Sequence, residues 1–263
     1  LALSRGFLTR VGTTAVSSSG SCKFLKVLSL AHNGITDKGM GAVVSLLETP
    51  DIYLENLNIS GNVISAESAT SIGITMCRNT SVTTLALDGN KLRADGGKGL
   101  SEALIWRVVE EKDPFGRVLD STLFYPKSLV RLKLSRNELG NEGATRLASM
   151  LPQNTTLLML DLSHNSITDA GASAIGDALS KNSSVENLSL AYNNIGDRGM
   201  IHLATALDDN NSLSHLNIEG NKFSVGGSRA LIRYLPVASN LTDLRIDSND
   251  VNYDHFEMIT GIV

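Results

Sequence analysis

Residues 157–167 read LLMLDLSHNSI, and this stretch decides the fold. By residue type it is L-x-x-L-x-L-x-x-N-x-I, with Leu157, Leu160, Leu162, Asn165 and Ile167 in the named slots. The same frame recurs around Asn33, Asn62, Asn90, Asn137, Asn193, Asn221 and Asn249. Successive asparagines stand 28 or 29 residues apart, except Asn90 and Asn137, which are 47 apart. Eight intact copies at one period mean an internal repeat, in which each unit packs on its neighbours instead of into a single globular core. A ninth, partial copy begins the chain: Leu1, Leu3 and Leu8 match, and Gly6 stands in the asparagine slot.

Each slot has a physical task. The L-x-L alternation has the period of a strand, so the leucines turn inward and the x residues outward. The asparagine sits where the chain leaves the strand. Its amide both donates and accepts, so stacked copies are expected to form a ladder that satisfies turning backbone groups. A helix should follow. Thr36, Ser65, Thr168, Ser224 and Asn252 share one position and are good N-cap residues. Asp37, Asp169 and Asp197 come next, where a negative charge suits the helix dipole. Gly39, Gly143, Gly171 and Gly199 leave room for helix and strand to approach. Asn79, Asn154, Asn182 and Asn210 lie just before the next strand and are expected to end the helix in a left-handed conformation.

A strand and a full helix in 28 residues resemble the ribonuclease-inhibitor-like subclass of leucine-rich repeats. That resemblance covers essentially the whole chain and implies an α/β solenoid: a right-handed horseshoe with a parallel concave sheet and outer helices. Curvature follows from spacing, since strands stack about 4.8 Å apart and helices about 8–10 Å. Residues 1–263 then form one array, expected to be truncated at both ends and to be a module of something larger. One insertion interrupts it, over about residues 106–127. It carries Trp106, Phe115, Phe124 and Tyr125, and is expected to be a longer helix and a loop folded back on the array, or else a partner-binding lobe.

The rest of the composition excludes more than it selects. A net charge of −4 gives no basic footprint for nucleic acid. No apolar run reaches the roughly 18 residues of a membrane span. Cys22 and Cys77 fall at different points of the repeat, which favours a reducing, cytoplasmic setting over a disulfide. His32 and His164 share a slot but lie four strands apart, about 20 Å, too far to share a metal. Gly96-Gly97-Lys98-Gly99 imitates half a phosphate loop, but Leu92 and Gly99 stand where glycine and Ser/Thr are needed. Neither a catalytic residue, a metal site, a cofactor nor a small-molecule substrate is expected.

Information in such an array lies in the x residues. Arg131, Lys133 and Arg136 make a basic step, flanked by Met159, His164 and Tyr192 on the following two strands. Arginine, tyrosine and methionine are enriched at protein interfaces. The expectation is a protein–protein interaction scaffold whose partner presents an acidic surface to these six residues. Two alternatives remain open. The Ran-activating family is built from the same repeat and uses loops after the strands, near which Arg93, Arg136 and Arg198 fall. An extracellular or innate-immune-type receptor ectodomain would make sequons of Asn58, Asn79 and Asn182.

Overall fold

The computed structural model describes residues 24–50, 52–105, 107–112, 118–124, 128–238 and 240–261. The chain runs β1 (Val27–Ser29), α1 (Asp37–Leu47), β2 (Asn56–Asn58), α2 (Ala66–Arg78), β3 (Thr84–Ala86) and α3 (Arg93–Leu104). Then come β4 (Arg107–Lys112), β5 (Val118–Phe124), β6 (Arg131–Lys133), α4 (Gly140–Met150), β7 (Met159–Asp161) and α5 (Asp169–Leu179). It continues as β8 (Asn187–Ser189), α6 (Asp197–Asp209), β9 (His215–Asn217), α7 (Val225–Tyr234), β10 (Asp243–Arg245) and α8 (Tyr253–Thr260). Eight strands form one open parallel sheet in the order β1-β2-β3-β6-β7-β8-β9-β10, alternating with helices.

The register is uniform. Leu28, Leu57, Leu85, Leu132, Leu160, Leu188, Leu216 and Leu244 pair in series across the sheet. From Leu57 to Leu216 these side chains are buried, each contributing about 1.5–3 kcal/mol relative to an exposed one. Leu244, in the last described copy, is only partly buried. Close packing of the outer layer depends on the helix glycines. A Cβ at Gly199 would sit 2.8 Å from Ile195 Cγ2 and 2.9 Å from Asp169 Cα, so this glycine admits both the isoleucine just ahead of its own helix and the preceding helix. Gly96 to Gly99 lie in α3, as part of an ordinary repeat helix.

The insertion differs from the longer helix and loop expected of it. Helix α3 ends at Leu104, and β4 and β5 pair antiparallel as a hairpin. β-branched Val108, Val109, Val118 and Thr122 suit strand better than helix. Trp106, Phe115 and Tyr125 lie outside the described residues. Strand β3 pairs directly with β6, Thr84 against Arg131 and Ala86 against Lys133, so the stack is continuous across the insertion.

Helix starts bring a second correction. Thr36, Ser65, Thr168, Ser224 and Asn252 are the N-cap residues, yet only Ser65 and Asn252 accept a capping hydrogen bond on their own side chains. At α5, α6 and α7, and at α2 beside its own Ser65 cap, a bond comes from the preceding copy. Asp169 Oδ1 accepts from Gly196 N at 2.7 Å and Gly199 N at 3.0 Å. Asp197 Oδ1 accepts from Ser224 N at 2.7 Å and Gly227 N at 2.8 Å. Asn141 does the same for Thr168 and Gly171, and Asp37 accepts from Ser65 N and Ser68 Oγ. These first-turn residues therefore satisfy orphan donors of the next helix as well as facing the dipole of their own.

The helix-ending asparagines are a third. Asn79, Asn154 and Asn210 are extended, with φ of −70°, −85° and −91°, and not left-handed. Their oxygens accept from the N–H groups two and three residues on, which hold the entry to the next strand. Their amides reach back to the preceding copy, Asn182 to Leu151 O and Asn210 to Leu179 O. This second asparagine column explains why the sequon residues Asn79 and Asn182 are what they are.

Candidate functional site

The ladder asparagines set the geometry of the site. Asn165 is wholly buried. Its Oδ1 accepts from Asn137 N at 2.9 Å and Leu139 N at 3.3 Å in the preceding copy. Its Nδ2 donates to Leu134 O at 2.9 Å and Ser163 O at 3.0 Å. Asn62 and Asn193 repeat this two-sided pattern. Asn90, Asn137, Asn221 and Asn249 also span adjacent copies through their amides. Asn137 Oδ1 and Asn249 Oδ1 are buried without a partner among the described residues. Asn33, in the first described copy, is exposed and donates to Ala31 O.

To fold its asparagine back beneath the turn, the chain must reverse sharply at the residue just before it. That residue is left-handed in all eight copies. The φ values are 58° at His32, 66° at Gly61, 63° at Gly89, 55° at Arg136, 55° at His164, 54° at Tyr192, 65° at Gly220 and 57° at Ser248. Glycine adopts this conformation freely, while other residues are strained by about 1–2 kcal/mol. The column mixes glycine with large polar residues, a sequence signal that the reading of the x residues passed over. The side chains lie along the column, each over the next copy. A Cβ at Gly61 would run into the His32 ring, and one at Gly220 into the Tyr192 ring.

Three consecutive copies carry the largest of these residues. Arg136 Nη2 lies 3.5 Å from His164 Nε2. A guanidinium can only donate, so that nitrogen is the acceptor of a neutral ring. Burial and the Arg136 charge hold His164 below its ordinary value, which agrees. The His164 and Tyr192 rings stack with centroids 4.6 Å apart and planes at 7°. Beyond them the Tyr192 hydroxyl donates to Glu219, and this hydrogen bond, with the nearby charges of Glu219 and Asp247, raises the phenol. Tyr192 is 45 % exposed and Arg136 is exposed.

The other sequence candidates form a separate group on the strands. Arg131 registers with Met159, and Lys133 with Asp161. The Asp88 carboxyl is pushed up by burial and by the charge of Asp161, against a hydrogen bond from Ser135 and the pull of Lys133. Neither Arg131 nor Arg136 forms an ion pair with a described residue, whereas Arg93 pairs with Glu138 at 3.4 Å. Arg198 lies in the first turn of α6, on the next element from the row. A shallow depression of about 200 Å³ on β7–β10 is lined by Met159, Asn187, His215, Asp243 and Arg245 among others. Pockets that bury small ligands run to about 300–1,000 Å³. Among the described residues no group of three or more His, Cys, Asp or Glu is placed to hold a metal ion, and no helix is long and apolar enough to cross a membrane.

A family model described as a leucine-rich repeat matches residues 21–44, 78–101, 125–148, 153–176 and 181–204. The chain is built from leucine-rich repeats. Its leucine-rich-repeat relatives include the human NACHT, LRR and PYD domains-containing protein 13, 31 % identical over 137 residues, or 49 % of this chain and 13 % of that protein. The human NACHT, LRR and PYD domains-containing protein 14 is 28 % identical over 139 residues, again 49 % of this chain and 13 % of the relative. The chain therefore matches a small part of these much longer proteins. Among solved structures, internalin C2 from Listeria monocytogenes aligns over 89 % of this chain and 76 % of its own, with a TM-score of 0.53 and 20 % identity. At that identity the likeness speaks for the solenoid fold alone.

Proposed function

We propose that this leucine-rich-repeat array is a non-enzymatic protein-interaction module, one part of a larger assembly, and that it binds its partner along Arg136, His164 and Tyr192, with Arg131, Lys133 and Met159 alongside. One observation carries the reading. Three neighbouring copies hold large, exposed or half-buried side chains in a left-handed backbone that glycine fills without strain elsewhere in the same column. Strain retained where the fold does not need it points to a use for the side chains. Arginine and tyrosine are the residues that dominate binding energy at interfaces. The unpaired charges of Arg131 and Arg136 favour an acidic partner surface. The cytoplasmic setting that goes with this reading rests on the sequence, where Cys22 and Cys77 fall at different points of the repeat. Nucleic acid, membrane and small molecules fit this surface less well than a protein does.

The test is site-specific photo-crosslinking. A photoreactive aromatic residue is placed at Tyr192 or, on the helical side, at Ile201, which is 42 % exposed. In cell extract the first should give discrete protein adducts that the second does not. These adducts should fade as salt rises, because exposed charges are screened over about 8–10 Å, and should be lost in Arg131→Glu with Arg136→Glu. Identical adducts from both positions, or none at 192, would move the binding surface to the helices, the loops or the insertion.

A further inference from the structure

The row beside the ladder is graded in charge as well as strained. At one end, in the turn after β6, stands Arg136. Next, on the following two copies, come the stacked rings of His164 and Tyr192. At the far end, just past β9, Glu219 stands next to Gly220 of the row, with Asp247 in Glu219's own column one copy on. Strands pack about 4.8 Å apart, so Arg136 and Glu219 are separated by three spacings, about 14 Å. The platform between them is one side-chain row wide. An α-helix is about 10–12 Å across, whereas an extended chain fits a single row and repeats its side-chain direction every second residue, about 6.6 Å. Four steps of extended chain, from one residue to the fourth after it, therefore span about 13 Å, close to the length of the row.

Resting on the reading of this face as the binding surface, we propose that it takes an extended segment of a partner protein, bearing an acidic residue, an apolar residue two positions away and a basic residue four positions away. The acid lies over Arg136, the apolar side chain over the His164–Tyr192 stack and the base against Glu219 and Asp247. The spacing sets the composition of the segment and not its chain direction. The Tyr192 hydroxyl, by holding Glu219, fixes where the negative end of the platform lies. A uniformly acidic partner would meet repulsion at Glu219 and Asp247, so this surface discriminates against it.

The experiment is selection from a random, displayed peptide library on the 263-residue chain at low ionic strength. The expected result is enrichment of acid and base four residues apart with an apolar residue between them. In synthetic peptides, replacing either charge should weaken binding roughly two- to fivefold, the worth of an exposed ion pair. Selection on Arg136→Glu should instead enrich two basic residues at the same spacing. Circular dichroism of that variant should match wild type, since Arg136 is exposed. Enrichment of acid alone, of helical spacing, of the same sequences by Arg136→Glu, or of nothing would overturn the inference. If enriched peptides lack the charge order yet compete for crosslinking at position 192, this segment chemistry fails and the binding face stands. A lack of discrete crosslinks at 192 sinks the face, and this inference with it.

Discussion

Neighbouring residues 164 and 165 do opposite things, and substitution should separate them. Asn165 satisfies two N–H groups and two carbonyls in two copies from a fully buried position. Asn165→Ala leaves buried polar groups unpaired and should cost roughly 1–3 kcal/mol in thermal or denaturant unfolding. His164→Gly removes ring stacking worth about 0.5–1.5 kcal/mol but also relieves left-handed strain of about 1–2 kcal/mol. Its net effect should stay within roughly 1 kcal/mol of zero, while crosslinking at Tyr192 falls. A wild-type melt for Asn165→Ala would refute the ladder's structural role. A loss on His164→Gly as large as that on Asn165→Ala would mean that the ring serves the fold and not a partner. The ladder was legible because asparagine recurs in every intact copy. The strained row was visible as well, in the exchange of Gly61, Gly89 and Gly220 for His32, Arg136, His164 and Tyr192, but only to a reading that asks what backbone glycine and a large residue share.

At the scale of the element, α2, α5, α6 and α7 take a capping hydrogen bond from the preceding copy. Burial pushes the Asp197 carboxyl up, but the N–H groups of Ser224 and Gly227, with the Ser224 hydroxyl, together outweigh it and hold the group below its ordinary value near 4. A lowered folded pKa means that the unfolded chain takes up the proton first. The stabilisation is complete above about pH 4 and is lost as pH falls from there through the folded value. Asn141 performs the same task without charge, accepting from Thr168 N at 2.8 Å and Gly171 N at 3.2 Å. Asp197→Asn should therefore keep neutral-pH stability within about 0.5 kcal/mol and flatten the acid limb of the stability profile, whereas Asp197→Ala should lose about 1–2 kcal/mol. An unchanged acid limb in Asp197→Asn would show that the cap is not the acid-sensitive contact. Strand and helix positions followed from periodicity, but the source of the caps did not. Thr168 and Ser224 are good N-caps by type, and only their stacking on the preceding copy shows that the donors are already taken.

The whole molecule is a one-dimensional stack, so its tolerance of change depends on which contacts run between copies. The order β1 to β3, then β6 to β10, puts the insertion outside that stack. Its residues broke the period, and without a repeat to set their register the signal for a hairpin over a longer helix lay in the β-branched Val108, Val109, Val118 and Thr122. Removing residues 107–125 would bring Asn90 and Asn137 from 47 to 28 positions apart, the spacing of the other copies. The β3–β6 register and the packing of α3 against α4 already exist without the insertion, and a shorter connection lowers closure entropy only slightly. The shortened chain should retain the helical circular dichroism of the parent and a single cooperative melt, with a midpoint displaced by a few degrees at most. Stability in such an array sums over copies and their interfaces. A melt that splits into two transitions would show that copies before and after the insertion are coupled through it and not through β3 and β6. Outright failure to fold would place aromatic residues of the insertion in the core. If the shortened chain instead folds normally and loses only crosslinking from Tyr192, the insertion is part of the binding surface, and the partner spans both.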